Sequence, residues 1–212
     1  MSGLPLPPAD FPALDLRFEE IEPSALLRLA WDEKRTQFTF RRSACYRFDA
    51  PDRSFGVLYA AFDLRTAFVE SVLRERPQNT PPADQVPLGW DEIDKRRVVQ
   101  LRSGRATRPL RLIALHGDGL VAARIDNRIA TVDDYSVTQQ WAKTCHKHPS
   151  RADGILYMSR FLGDSRSVAI FDRARPAVQP GRVVPLMSYP GFPEVIDEFD
   201  VAIERPARGR RR

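Results

Sequence analysis

Apolar runs of strand length recur along the chain and predict a protein rich in short strands. The run Val57–Ala61 is apolar throughout, which is typical of a buried strand. Gly163 and Asp164 mark a turn between two later runs. The predicted strands are Val57–Ala61, Arg97–Leu101, Leu110–Leu115, Gly154–Met158, Ser167–Phe171 and a final alternating segment with Phe199, Val201 and Ile203.

Three segments carry helix signals. Pro23 begins the segment Pro23–Trp31, and proline is tolerated in the first turn of a helix because its missing N–H needs no partner there. Asp63 is placed to cap a helix that runs through Arg74. Ser136 is placed to cap a third helix. The shared face of this third helix contains Val137, Trp141, Thr144, Cys145 and His148.

The order of these elements favours an α+β fold with a mixed sheet core and flanking helices, because strands and helices do not alternate in repeated βα units. The 212 residues are 42% hydrophobic and 29% charged, which is typical of a globular protein. The sequence predicts one domain over residues 1–204 with its core at about residues 24–175. The proline-rich segment Pro77–Pro87 is predicted to be an irregular connection.

Signals for export or membrane insertion are not found in the sequence. No apolar run approaches the roughly 18 residues of a membrane span. The N-terminus, MSGLPLPPADFPALD, lacks the basic and apolar regions of a signal peptide. Cys45 and Cys145 lie outside any CxxC spacing, which argues against a metal site or a disulfide framework. We therefore expect a cytoplasmic protein with no membrane association.

The positive net charge of the chain comes from its C-terminal end. The formal charge is +5, and the segment 205–212, RPARGRRR, holds five arginines and no acid. Without it the chain has 28 basic and 28 acidic residues, so the body is formally neutral. A neutral body does not offer the basic face that phosphate-backbone binding needs. A disordered, solvated tail is the favoured interpretation, and a nucleic-acid-binding arm is the alternative.

The common nucleotide, zinc and hydrolase signatures are missing from the sequence, which contains no GxGxxG, GxxxxGK[ST], HExxH or GxSxG. His146 and His148 are two positions apart and would not share a helix face, so no metal site is predicted. Neither cysteine lies in the electropositive helix-start setting that activates a thiolate.

Four short stretches each place a polar residue in apolar or aromatic surroundings. They are LLRLA with Arg28, CYRFDAP with Arg47, GVLYAAFDLRTAFVES with Tyr59 and Glu70, and DGILYMSRFLGDSRSVAIFD with Ser159. Tyr59 lies on the predicted strand Val57–Ala61, and Glu70 lies on the helix that Asp63 is placed to cap. If this strand and this helix fold back on each other, Tyr59 and Glu70 become neighbours, and Ser159 can join them from an adjacent strand.

Each of these residues also has an ordinary structural explanation. The arginine of LLRLA can face solvent, the tyrosine can belong to the core, and the serine can close a strand. Arg47 can pair with Asp49 or Asp52. Glu70 can form a surface ion pair with Arg74, one helical turn away.

Taken together, in this order and with these flanking residues, the stretches resemble the RES-domain family of bacterial toxins. The resemblance runs from about Leu26 to about Phe171 and rests most specifically on RFDAP, GVLYAA, AFVE and DGILYMSR. It implies a fold related to the ADP-ribosyltransferases and a toxin of a type II toxin–antitoxin system. The implied reaction is cleavage of NAD⁺ at its nicotinamide–ribose bond by phosphorolysis or hydrolysis, with NAD⁺ as substrate, phosphate as co-substrate of phosphorolysis, and no cofactor.

The resemblance also implies partners. Members of the family are neutralised by an Xre-like protein antitoxin that plugs the active site, so an oligomeric complex with such an antitoxin is expected. DNA binding is then expected only through the antitoxin.

The resemblance assigns roles to the five residues. Arg28, Arg47 and Tyr59 fall on substrate-binding positions, and Glu70 and Ser159 fall on catalytic positions. The roles suit the chemistry of NAD⁺. Arginine forks bind a diphosphate in paired, charge-assisted hydrogen bonds, and a tyrosine face attracts a cationic ring. A carboxylate holds the ribose hydroxyl and stabilises the positive charge that develops on the sugar, while a serine can bind the ribose or the attacking phosphate.

Two other functions remain open from the sequence. A mono-ADP-ribosyltransferase that modifies a host protein would use the same residues. A nonenzymatic module that binds nucleic acid or protein would instead use the arginine-rich tail 205–212.

Overall fold

The computed structural model describes residues 3–74 and 86–204, and a large mixed β-sheet dominates it. Ten strands lie in these residues. They are β1 (Phe18–Ile21), β2 (Leu27–Trp31), β3 (Val57–Ala61), β4 (Val86–Gly89), β5 (Arg96–Ser103), β6 (Leu110–Leu115), β7 (Gly154–Met158), β8 (Arg166–Phe171), β9 (Val178–Pro185) and β10 (Val201–Glu204).

Seven α-helices in the same residues surround the strands, so the predicted α+β class is confirmed. They are α1 (Lys34–Gln37), α2 (Leu64–Phe68), α3 (Trp90–Asp94), α4 (Asp118–Ala122), α5 (Arg128–Thr131), α6 (Tyr135–Lys147) and α7 (Phe192–Glu198). Helix α2 continues directly into a π-helical turn, Val69–Leu73. Short 3₁₀ turns occur at Phe11–Ala13, Pro23–Ala25, Asp172–Ala174 and Leu186–Ser188.

Eight strands form one sheet in the order β1-β6-β7-β8-β3-β2-β5-β9, and β4 pairs in parallel with β10 in a second, smaller sheet. Within the large sheet β6 and β7 are parallel, and the other neighbours are antiparallel. Strand β2 faces β5 along its whole length but faces β3 only at the pair Leu27 and Ala61. The sheet therefore opens between β2 and β3.

Three apolar clusters hold the helices and the sheet together. In the first, Trp141 of α6 packs edge-to-face on Phe11 of the N-terminal segment, with the ring centroids 5.5 Å apart. The second joins side chains of β3, β5, β6, β7 and β8. The third packs α2 and α7 on β2 and β5, with Phe68 and Phe192 in edge contact. Burial of this apolar surface is the main source of stability.

The predicted helix at Pro23–Trp31 is wrong, because only Pro23–Ala25 is helical and β2 follows. Leucine, alanine and arginine favour helices in isolation, but helix propensities of ordinary residues differ by less than about 1 kcal/mol. Five residue pairs between β2 and β5 outweigh that preference. Arg28 consequently projects from a strand.

Several local predictions are confirmed, and one cap is wrong. The predicted strands at Val57–Ala61, Leu110–Leu115 and Gly154–Met158 have the observed bounds. The Asp63 carboxylate accepts a hydrogen bond from the Thr66 N–H at 2.7 Å, as expected of an N-cap. The predicted cap Ser136 is instead the residue that is capped. Its N–H donates to Asp134, which precedes α6.

Strands β1, β4 and β9 were not predicted from the sequence, and Phe199 lies just before the last strand instead of in it. In the proline-rich segment Pro77–Pro87, the last two residues belong to β4, where an irregular connection was predicted. The rest of that segment and the predicted disordered tail, 205–212, lie outside the described residues.

Residues 3–74 and 86–204 contain no helix that is both long and apolar enough to cross a membrane. In the same ranges, no group of three or more His, Cys, Asp or Glu side chains is arranged to hold a metal ion.

Replacing the cap of α2 tests how strongly it holds this helix. We expect Asp63→Ala to lower the free energy of unfolding by about 1 kcal/mol, because the Thr66 N–H loses its acceptor. Urea denaturation measures the change. Asp15→Ala is the matched control, because the side chain of Asp15 is exposed and only borders Arg17 at 4.0 Å. Equal unfolding midpoints for Asp63→Ala and the wild type would contradict the capping role.

Candidate active site

A cavity of about 690 Å³ lies where β2 and β3 separate. Strand β2 contributes Arg28 and Trp31 to its wall, and β3 contributes Tyr59. The π-helical turn contributes Glu70, and the loop before β3 contributes Arg47. Four of the five residues assigned from the sequence thus line one cavity, and the fifth, Ser159, reaches it through Glu70.

The segment before β3 pairs with the start of β3, where β2 no longer reaches it. Arg41 and Val57 exchange two backbone hydrogen bonds of 3.0 Å, so Arg41 takes the pairing position beside the start of β3. The close approach requires a glycine at position 56, because a Cβ atom there would lie 2.6 Å from the carbonyl oxygen of Phe40. The buried Phe40 anchors the segment in the second apolar cluster.

The carboxylate of Glu70 is fixed by one of its two oxygens. Oε1 accepts hydrogen bonds from Ser159 Oγ at 2.5 Å and from the Arg160 N–H at 3.0 Å. Among the described residues none donates to Oε2, and Glu70 forms no ion pair with Arg74. The second oxygen is therefore available to a ligand in the cavity. The π-helical turn carrying Glu70 is a distortion that frequently marks functional positions.

Ser159 links the carboxylate to the hairpin between β7 and β8. It directly follows β7, is only 3% exposed, and its N–H donates to the Ser165 carbonyl at 2.8 Å. Its Oγ also accepts from the N–H groups of Phe161 and Leu162 at 3.4 and 3.3 Å. The hydroxyl proton is thereby directed at Glu70, which lies 89 positions earlier in the chain.

Tyr59 has a structural role in addition to lining the cavity. Its hydroxyl donates to Asp49 Oδ1 at 3.1 Å and accepts from the Phe48 N–H at 2.9 Å. Burial and the neighbouring Asp49 carboxylate raise the pKa of Tyr59 well above its usual value, so it stays protonated. Its ring meets that of Tyr46 edge-on at 5.8 Å. A tyrosine with its hydroxyl occupied in this way offers a ligand its ring, not its proton.

Asp49 organises the loop that carries Arg47, although it does not pair with Arg47. The carboxylate is 1% exposed. In addition to Tyr59 it accepts hydrogen bonds from the Ser43 hydroxyl and from the backbone N–H groups of Cys45 and Tyr46. It therefore fixes the shape of the loop at the cavity wall.

Arg47 is 7% exposed and is held by backbone oxygens instead of by an acid. Its Nη1 donates to the carbonyls of Val132 at 2.8 Å and Ile129 at 3.3 Å, and the guanidinium lies 4.8 Å from the centre of the Tyr135 ring. Burial lowers the pKa of Arg47, and the largest opposing contribution comes from Tyr135. Asp52, the other acid considered, pairs with Lys143.

Arg28 has no such partners. Its Nε and Nη1 atoms are buried, and neither has a hydrogen-bond acceptor in the described part of the chain. Burial first, and then the charge of Arg41, lower the pKa of Arg28 to about 10, so the guanidinium is still charged at neutral pH.

The cavity wall is strongly cationic within a chain whose body is formally neutral. Arginines outnumber acids, and an anionic ligand is the partner that such an excess favours. The arginines on the wall are Arg28, Arg41, Arg47, Arg74, Arg96 and Arg160, and the acids are Glu70 and Glu92.

Sequence reasoning missed three residues of this arrangement. Arg41 and the backbone N–H of Arg160 had no local signal, because both depend on distant segments meeting at the cavity. Asp49 was considered only as a partner of Arg47. Its carboxylate accepts from N–H groups that precede it in the chain, a pattern that the local sequence does not signal.

Comparisons with known proteins define the class of protein. A model of the RES domain family matches residues 25–191, so the chain belongs to the RES domain family. Over 118 residues it is 30% identical to "Probable toxin y4kH" of Sinorhizobium fredii, a match that covers 55% of this chain and 90% of that protein. A chain in the crystal structure of the M. tuberculosis MbcT–MbcA toxin–antitoxin complex has a similar fold. The TM-score is 0.61 at 13% identity, covering 89% of this chain and 97% of that chain.

Removing one hydroxyl tests the network around Asp49. We expect Tyr59→Phe to lower the free energy of unfolding by about 1–3 kcal/mol, because the buried Asp49 and the Phe48 N–H each lose a partner. Tyr135→Phe removes a hydroxyl that bonds to no described residue and is expected to change stability by at most about 0.5 kcal/mol. Thermal or urea unfolding compares the two. Equal losses in both variants would rule out the proposed anchoring.

Proposed function

We propose that the chain is the toxin of a toxin–antitoxin system and that it cleaves NAD⁺ at the nicotinamide–ribose bond, passing ADP-ribose to phosphate or water. The observation that carries the proposal is the Glu70 carboxylate, held by Ser159 and Arg160 at the wall of an arginine-rich cavity. The cavity, about 690 Å³, has a volume usual for small-molecule sites.

The relatives support the toxin part of this proposal. The Sinorhizobium fredii protein is named a probable toxin, and the M. tuberculosis structure is that of a toxin bound to its antitoxin. We propose that this chain likewise acts with a protein antitoxin, of the Xre-like type that the family resemblance implies. An antitoxin that covers the cavity would block access to Glu70.

The chemical features of NAD⁺ match those of this cavity. Its diphosphate matches the cationic wall, and the arginine forks of Arg28 and Arg47 give paired hydrogen bonds to phosphate oxygens. Arg47 retains Nε and Nη2 for this purpose, because its carbonyl partners both bind Nη1. The ring of Tyr59 offers the cationic nicotinamide a contact worth about 0.5–2 kcal/mol, enough to orient the ring.

Glu70 would carry the main chemical role. Its free Oε2 can accept a hydrogen bond from the ribose 2′-hydroxyl, and its negative charge stabilises the oxocarbenium character that develops on the sugar. An oxygen of phosphate or water forms the new bond to the ribose C1, and an attacking water also releases one proton to the solvent. The bond from C1 to nicotinamide breaks, and its electron pair moves to the ring, which leaves as neutral nicotinamide.

Ser159 would position Glu70. Its hydroxyl proton is directed at Oε1, so the carboxylate keeps its orientation. The same side chain lies close to where a ribose or phosphate bound to Glu70 would sit. These two roles predict a smaller loss of activity for Ser159→Ala than for a change at Glu70 itself.

The products distinguish the proposed reaction from the alternatives. NAD⁺ labelled in its adenylate portion is incubated with the purified protein, with and without phosphate. ADP-ribose 1″-phosphate indicates phosphorolysis, ADP-ribose indicates hydrolysis, and label on a protein indicates mono-ADP-ribosyl transfer. Intact NAD⁺ in every arm would favour the nonenzymatic binding module.

Replacing the carboxylate tests the catalytic role directly. We expect Glu70→Gln to reduce the rate of NAD⁺ loss by about 100-fold or more, because the negative charge that stabilises the sugar is gone while the side-chain shape is kept. Glu194→Gln, at an exposed residue in the first turn of α7, removes the same charge away from the cavity and is expected to keep wild-type activity. Circular dichroism checks the fold of both. Wild-type rates in Glu70→Gln would refute the assignment.

A further inference from the structure

Two arginines of the cavity, Arg28 and Arg41, hold charge that no described residue neutralises. The Nε and Nη1 atoms of Arg28 are buried without acceptors within the described ranges. The same ranges offer no hydrogen bond or ion pair to the side chain of Arg41, which also lines the cavity. Unpaired buried donors are unfavourable, and this cost falls on Arg28. The exposed Arg41 adds a second positive charge at the same cavity. A ligand that accepts from Arg28 and neutralises both charges must be an anion.

Backbone hydrogen bonds fix the main-chain position of Arg41. Its N–H and carbonyl both bond to Val57 of β3 at 3.0 Å, and the preceding Phe40 is only 4% exposed. Gly56 leaves the space that the carbonyl of Phe40 needs. The backbone of Arg28 is equally fixed, because Arg28 and the residues before and after it all pair with β5. Both side chains therefore extend to the cavity from paired backbone positions, so the backbone loses little conformational entropy when an anion binds.

We infer that Arg28 and Arg41 together form a phosphate-binding subsite and that Arg41 is a binding residue of the cavity. A doubly charged phosphate group fits, because each guanidinium can present two N–H groups to its oxygens. Burial and then the positive charge of Arg41 lower the pKa of Arg28. The two guanidinium groups are therefore near enough to interact, as a subsite for one anion requires. By contrast, Nη1 of Arg47 is already occupied by two backbone carbonyls.

This inference rests on the proposed function for the identity of the phosphate group, which is either the diphosphate of the nucleotide or the inorganic phosphate that attacks it. The two sources share the same chemistry. Calorimetric titration of the full chain with ADP, inorganic phosphate and adenosine separates them, because adenosine lacks a phosphate and none of the three requires turnover.

The decisive variant is Arg41→Ala, with Arg42→Ala as matched control. Arg42 is the adjacent arginine, is paired with Asp172 at 2.9 Å and does not line the cavity. Arg41→Ala is expected to weaken binding of ADP, of inorganic phosphate, or of both by about tenfold or more, because charge-assisted hydrogen bonds are lost. Arg42→Ala is expected to bind as the wild type does. Adenosine binding is expected to stay unchanged in both variants.

The pattern of losses identifies the ligand. A loss confined to ADP assigns the subsite to the diphosphate, and a loss confined to inorganic phosphate assigns it to the nucleophile. Arg41→Lys is expected to lie between wild type and alanine, because it keeps the charge but not the fork. Equal affinities for Arg41→Ala and Arg42→Ala, or no binding of either anion by the wild type, would overturn the inference.

The outcome is separable from that of the proposed function. If the wild type leaves NAD⁺ intact while ADP binding still depends on Arg41, only the proposed reaction fails. If the wild type consumes NAD⁺ while Arg41→Ala binds ADP and phosphate normally, only the subsite fails.

Discussion

Strands β2 and β3 share one pair of facing residues, Leu27 and Ala61, and the cavity exists because the strands separate beyond it. A sheet that opens must satisfy the backbone groups it exposes, since unpaired buried N–H and C=O groups are costly. Here β2 retains β5 on its other side, and Arg41 pairs with Val57 where β2 no longer reaches β3. The gap is thus stabilised without being closed, and the polar side chains beside it face a space large enough for a ligand.

Some residues around this opening fix its shape through their hydrogen bonds, and others carry polar atoms that lack a hydrogen-bond partner in the described residues. Asp49 accepts four hydrogen bonds and fixes the wall, and Ser159 fixes one oxygen of Glu70. The second oxygen of Glu70 and two nitrogens of Arg28 lack partners in the described residues. An acceptor and donors left open in one cavity suit a ligand that has both hydroxyls and anionic oxygens, as a nucleotide with a ribose and phosphates does.

Local signals in the sequence were sufficient where structure depends on near neighbours. The strand Val57–Ala61 and the cap Asp63 were predictable because an apolar run and a side-chain-to-backbone hydrogen bond act within a few residues. Strand β2 was mistaken for a helix because its conformation depends on β5, about 70 residues later in the chain. Family resemblance groups Ser159 with Glu70. Their hydrogen bond could not be derived from the sequence, because it also joins residues that are far apart in the chain. That Arg28 and Arg41 line the same cavity could not be predicted either, because it depends on the separation of β2 and β3.

The helix that positions Glu70 depends on a part of the chain beyond the family match, which ends at residue 191. Phe192 of α7 packs on Phe68, and Glu198 of α7 accepts a hydrogen bond from Arg65 at 2.6 Å. Both partners lie on α2, immediately before the π-helical turn. An open, cationic cavity buries little apolar surface of its own. Its walls must therefore be stabilised by apolar packing on the sides that face away from the cavity. Helix α7 provides that packing on the side of α2 away from the cavity, while Glu70 lines the cavity.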